Sequence, residues 1–128
     1  MKSALLSVVL LITTYVQAIP TNDKQVRENM KFGMQAVITA KEGKGGELVD
    51  IMLEASQAVA EMEGCLLYLV QQSLTDDSKV LITEVWASKE SHAASLTNET
   101  VRTLIMKAKP IIVDMDHIPA KYIGGHGI

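Results

Sequence analysis

KVLITEVWASKESHAASL, residues Lys79 to Leu96, changes its period half-way. The first half, Lys79 to Trp86, alternates as a strand does. Val80, Ile82, Glu84 and Trp86 share one face, and Leu81, Thr83 and Val85 the other. From Ser88 onward the residues favour a helix. Ser88 is a good N-cap, and Ser91 rather than Glu stands at N3, so no capping box forms. The only tryptophan, Trp86, sits at the junction. A strand that presents Glu84 and Trp86 on one face, followed by a helix carrying His92, makes a candidate site wall.

Outward from this stretch the chain keeps the same logic. Cys65 to Gln72 (CLLYLVQQ) is a second strand, apolar on both faces at its centre, as in a sheet covered on both sides. Simple alternation puts Tyr68 on a face with Leu66 and Val70. Ser73 to Ser78 is a polar turn, so the two strands form an antiparallel hairpin. Asp76 and Asp77 read as solvated turn residues rather than a carboxylate dyad.

Glu47 to Glu63 carries Leu48, Ile51, Met52, Ala55, Val59 and Met62 on one helical stripe, and Gly64 stops it. Met30 to Ala40 alternates as a first strand. The glycines of Lys41 to Gly46 fit a turn, with neither a Walker pattern nor GxGxxG. Downstream, a helix starts near Asn98 and Pro110 ends or kinks it. A last strand is expected near Ala120 to Gly124. The order is β-α-β-β-α-β. It predicts an α+β, ferredoxin-like antiparallel sheet with helices on one face. The opposite apolar face then needs a cover, and a second copy of the sheet is the simplest, giving a homodimer.

The chain has 128 residues and a net charge of −3, enough for one domain. Residues 1–18 have the layout of a secretory signal peptide: Lys2, an apolar core, and Val16-Gln17-Ala18 before the cleavage point. Residues 19–29 read as a flexible leader and 30–128 as the domain. The mature chain is expected in the periplasm or outside the cell, with no stable membrane insertion after cleavage. Losing Lys2 takes the charge from −3 to −4, which offers nucleic acid or anionic lipid no attraction. One cysteine, Cys65, excludes an internal disulfide framework. Asn98-Glu99-Thr100 matches a glycosylation acceptor, which matters only in a eukaryotic secretory pathway.

Glu84-Val85-Trp86, the following helix with Glu90 and His92, Lys41-Glu42-Gly43, Gly64-Cys65 with Tyr68, and the terminal Gly124-Gly125 together resemble the antibiotic biosynthesis monooxygenase (ABM) family, also described as quinol monooxygenases. The resemblance runs from about Lys31 to the C-terminus. It implies a dimeric α+β barrel in which two sheets face each other. It also implies oxidation of a quinol-like or phenolic aromatic by O2 with no metal, flavin or haem cofactor. The family often has a histidine nine residues after the tryptophan. Here Ser95 holds that position, and His92 lies three residues earlier on the same helix face.

On that resemblance His92 and Glu84 are the candidate catalytic bases, and Trp86 and Tyr68 the residues that stack on or hydrogen-bond an aromatic substrate. Plainer readings stand beside these. Trp86 is core, Glu84 pairs with a cation such as Arg102, and His92 is a partly exposed helix residue. His92, His117 and His126 have no metal-ligand spacing. Haem degradation on this fold needs an asparagine on the first strand, where this chain reads Met34-Gln35-Ala36. The alternative function is a non-catalytic small-molecule-binding or stress-related protein on the same dimeric barrel, with a filled, dry core.

Overall fold

The computed structural model describes residues 30–127. The expected signal peptide and the leader lie outside the described residues. Four strands and three helices follow in the order β1 (Phe32–Ala40), α1 (Gly45–Ala60), β2 (Cys65–Gln72), β3 (Lys79–Trp86), α2 (Lys89–Ser95), α3 (Glu99–Ala108) and β4 (Ile112–Lys121). A short 3-10 turn, Lys109–Ile111, joins α3 to β4 around Pro110. The sheet order is β2-β3-β1-β4, and every neighbouring pair is antiparallel. This is the α+β ferredoxin-like arrangement. Among the described residues no helix is long and apolar enough to cross a membrane.

The core lies between the sheet and α1 with α3. Ile38 and Ala40 of β1, Val80 and Ile82 of β3, and Leu48, Ile51 and Met52 of α1 are buried in one cluster. Each large side chain contributes about 1.5–3 kcal/mol of gross burial energy, most of it offset by ordering entropy. Val59, Trp86 and Val101 form a second cluster, with Phe32 and Tyr68 against it. The helix caps follow the residues. Ser88 Oγ accepts from Ser91 N at 3.0 Å, and Asn98 Oδ1 accepts from Val101 N at 3.1 Å.

Two details differ from the sequence expectation. The last strand is Ile112–Lys121 rather than Ala120 to Gly124. Asp114, Asp116 and Pro119 are poor strand formers and hide it. The strand survives because it lies at the edge and pairs only with β1, where a proline is tolerated. The second detail is a β-bulge in β2. Cys65 pairs with Trp86, but Leu67 pairs with Val85 and Tyr68 with Glu84. Leu66 is the extra residue. Cys65 therefore joins Tyr68 and Val70 on the helix side, and Leu66, 45% exposed, does not.

The other face of the sheet carries Leu67 and Leu69 of β2, Leu81 and Val85 of β3, Val37 of β1 and Ile118 of β4, by their register. Val85 is buried there, at 5% exposed, but the face is open elsewhere. Leu69 is 46% exposed and Ile118 62%. At its middle Thr83 Oγ1 donates to Gln35 Oε1 at 3.0 Å.

Candidate functional site

One rung of the sheet sets the position of the site. Tyr68, Glu84 and Met34 lie side by side on β2, β3 and β1, all on the helix side. Trp86 is two residues beyond Glu84 and wholly buried. Its indole Nε1 donates to Glu84 Oε2 at 2.7 Å. His92, held over the sheet by α2, brings Nε2 to 3.7 Å from the same oxygen. That distance is long for a hydrogen bond. The imidazole packs instead against rings, 5.0 Å from Phe32 and 5.8 Å edge-on from Trp86.

A cavity of about 380 Å³ opens beside this group, within the range of small-molecule sites. Glu84, His92, Tyr68 and Ser95 supply polar groups to its lining, and His117 a further one from β4. The rest is apolar, with Met34, Ala36, Ile82, Met52 and Leu104 among the walls. The non-catalytic reading expected a filled, dry core, and the cavity argues the other way.

Burial governs the titration of the group. It raises the Glu84 carboxyl above the usual range, and the Trp86 hydrogen bond pulls in the opposite direction. It lowers His92. The two shifts agree that the imidazole is neutral near pH 7, so proximity to Glu84 makes contact but no ion pair. Tyr68 is pushed far up, first by burial and then by the Glu84 charge, and stays protonated. Cys65, beside them, is raised for the same two reasons and is a poor nucleophile.

The expected residues are thus brought together with altered geometry. Glu84, His92 and Tyr68 border the cavity. Trp86 does not; it lies behind Glu84 and reaches the cavity only through that carboxylate. Among the described residues the partners of Glu84 are Trp86 and His92, and Arg102 is not one of them. Ser95 is buried, donates to the His92 carbonyl oxygen at 2.6 Å, and borders the same cavity. No three His, Cys, Asp or Glu side chains converge as metal donors among the described residues. Sequence reasoning missed Met115 and His117, which border the cavity from β4. Their alternation with Asp114 and Asp116 is the signal that could have found them.

The family model described as antibiotic biosynthesis monooxygenase matches residues 31–106. The chain belongs to the antibiotic biosynthesis monooxygenase family. The ABM match spans β1 to most of α3 and so contains Tyr68, Glu84, Trp86 and His92. A solved protein from Chloroflexus aurantiacus, provisionally named as an ABM protein, is 36% identical, with 77% of this chain and 98% of that one aligned at a TM-score of 0.70. One from Deinococcus radiodurans, named in the same way, is 26% identical over 76% and 95%, at 0.64. A Bacteroides thetaiotaomicron protein of unknown function, described as a possible oxidoreductase, shares the fold at 17% identity, with 73% and 99% covered and a TM-score of 0.69. No curated protein matches the chain.

Proposed function

We propose that this ABM protein is a cofactor-independent monooxygenase that oxidises a quinol-like or phenolic aromatic with O2. The observation that carries the reading is one carboxylate oxygen of Glu84. It is held by Trp86 at 2.7 Å, faced by His92 at 3.7 Å, and set at one end of an apolar cavity. A buried carboxylate with raised proton affinity is suited to take a hydroxyl proton from the bound diol. Removing that proton makes the ring electron-rich. The neutral His92 stands ready for the second hydroxyl. Tyr68, which stays protonated, donates to the oxyanion that develops. Trp86 positions Glu84 and does not touch the substrate. The apolar walls keep water from the activated ring.

The balance needs no outside reductant. One oxygen atom forms a ring C–O bond where a C–H was, and the other leaves as water. All the electrons come from the diol, which becomes a hydroxyquinone. The protein acts as a homodimer through the open sheet faces, and it works after export, in the periplasm or outside the cell.

The test is oxygen uptake by metal- and flavin-stripped protein with naphthalene and anthracene diols, using oxygen-18 gas. One labelled atom in the product is expected. Glu84→Gln should lower kcat by about 10²–10⁴-fold, the usual contribution of a general base. Uptake no faster than the protein-free rate across the panel would sink the proposal.

A further inference from the structure

The residues that line the cavity spread over more of the sheet than a fused aromatic head would cover. Along the helix side of the sheet its floor runs from the Glu84 rung, through Ile82 and Ala36, to Ile38 and Met115. Met115 lies four residues along and two strands across from Glu84. With about 3.4 Å per residue along a strand and about 4.8 Å between strands, the backbone-to-backbone diagonal is roughly 17 Å. Polarity is uneven over that length. Tyr68, Glu84 and His92 stand at one end, joined there by the Glu84–His92 and Glu84–Trp86 contacts. Away from that end the exposed lining residues are apolar: Ile105 at 44% and Met115 at 50%. His117 is the one polar side chain among the exposed lining residues.

The opening has a cause in the fold. Met115 stands on the helix side of β4 by its pairing with Ile38, yet it is half exposed, so the helices leave it incompletely covered. α3 packs its buried residues Val101, Leu104 and Ala108 inward and leaves Ile105 at the lip. Large apolar side chains around a cavity mouth cost free energy when wet and recover it when an apolar ligand group covers them.

We infer that the substrate is amphiphilic: an aromatic diol bearing an aliphatic chain, with the diol at Glu84 and the chain running out between Ile105 and Met115. This rests on the quinol reading above and adds the tail. Specificity then divides by position. The polar end selects the ring oxygens, and the lip selects chain length.

The experiment is calorimetric titration under nitrogen with 1,4-naphthohydroquinone and derivatives carrying straight alkyl chains short enough to stay monomeric in solution. Each methylene buried should tighten Kd by about fourfold, and the gain should level off once the chain passes the lip. Met115→Ser and Ile105→Ser should flatten that dependence. Leu66→Ser, exposed on β2 away from the cavity, should keep it. Binding that ignores chain length, or a dependence that survives both lip variants, overturns the tail and leaves the quinol reading standing. No binding by any quinol overturns both. A fall in sedimentation mass for the lip variants assigns the lip to a subunit interface and also overturns the tail.

Discussion

Replacing Trp86 by Phe keeps a buried ring and deletes the N–H that reaches Glu84 Oε2 at 2.7 Å. A buried acceptor left without that donor costs about 1–3 kcal/mol, to be read from denaturant unfolding. The same change removes what holds the Glu84 pKa down, so the carboxyl should titrate at still higher pH, visible by carbon-13 NMR. Glu84 and His92 also set opposed slopes of stability with pH. The folded Glu84 holds its proton above the ordinary value of 4.5, so the unfolded chain ionises first. Stability therefore falls as pH rises from 4.5 to the raised value and is level beyond it. His92 is lowered from 6.5, so the unfolded chain takes up the proton first, and stability falls as pH drops from 6.5 to the lowered value. Urea unfolding between pH 4 and 8 should lose the first slope in Glu84→Gln and the second in His92→Gln. The pairing of Glu84 and Trp86 on one face was legible from their spacing of two. That the indole would spend its N–H on the carboxylate, and so stand behind the cavity, depends on the rotamers of both side chains, which no spacing encodes.

Among the elements, α2 depends on a glycine outside it. Gly64 has φ +86°, and a Cβ there would collide with Ser91 Oγ in the first turn of α2. Gly64→Ala should therefore cost more than the about 1–2 kcal/mol of left-handed backbone alone, and it should displace His92. A calorimetric Tm and the His92 ring shifts would report the two effects. The cap of α3 is a milder case: Asn98→Ala should cost about 1 kcal/mol. The strands β1 to β3 and the caps of α2 and α3 were readable because alternation, stripe and capping residues agree there. β4 was not, since aspartates and a proline are poor strand formers and outweigh the short alternation that is present. The bulge at Leu66 was not readable either, because CLLYLV is apolar on both faces and gives no sign of a change of phase.

For the molecule as a whole, the sheet face opposite the helices leaves Leu69, Val37 and Ile118 exposed. If two copies meet there, Leu69→Asp and Val37→Asp should each halve the mass found by sedimentation equilibrium while the far-UV circular dichroism stays as it was. The β-α-β-β-α-β order could be read from the chain and led to this face. The cavity could not, because a void arises where side chains of several elements fail to meet, and no element's pattern contains another's position. β4 has one more consequence. It is a ten-residue edge strand open on one side, the kind of template on which other chains polymerise. Asp114, Asp116, Pro119 and Lys121 interrupt it in turn. The residues that conceal the strand from a reader of the sequence also conceal it from other strands. Asp116→Val with Pro119→Val should make the edge adhesive, and light scattering at high protein concentration should rise with time where the parent protein stays clear.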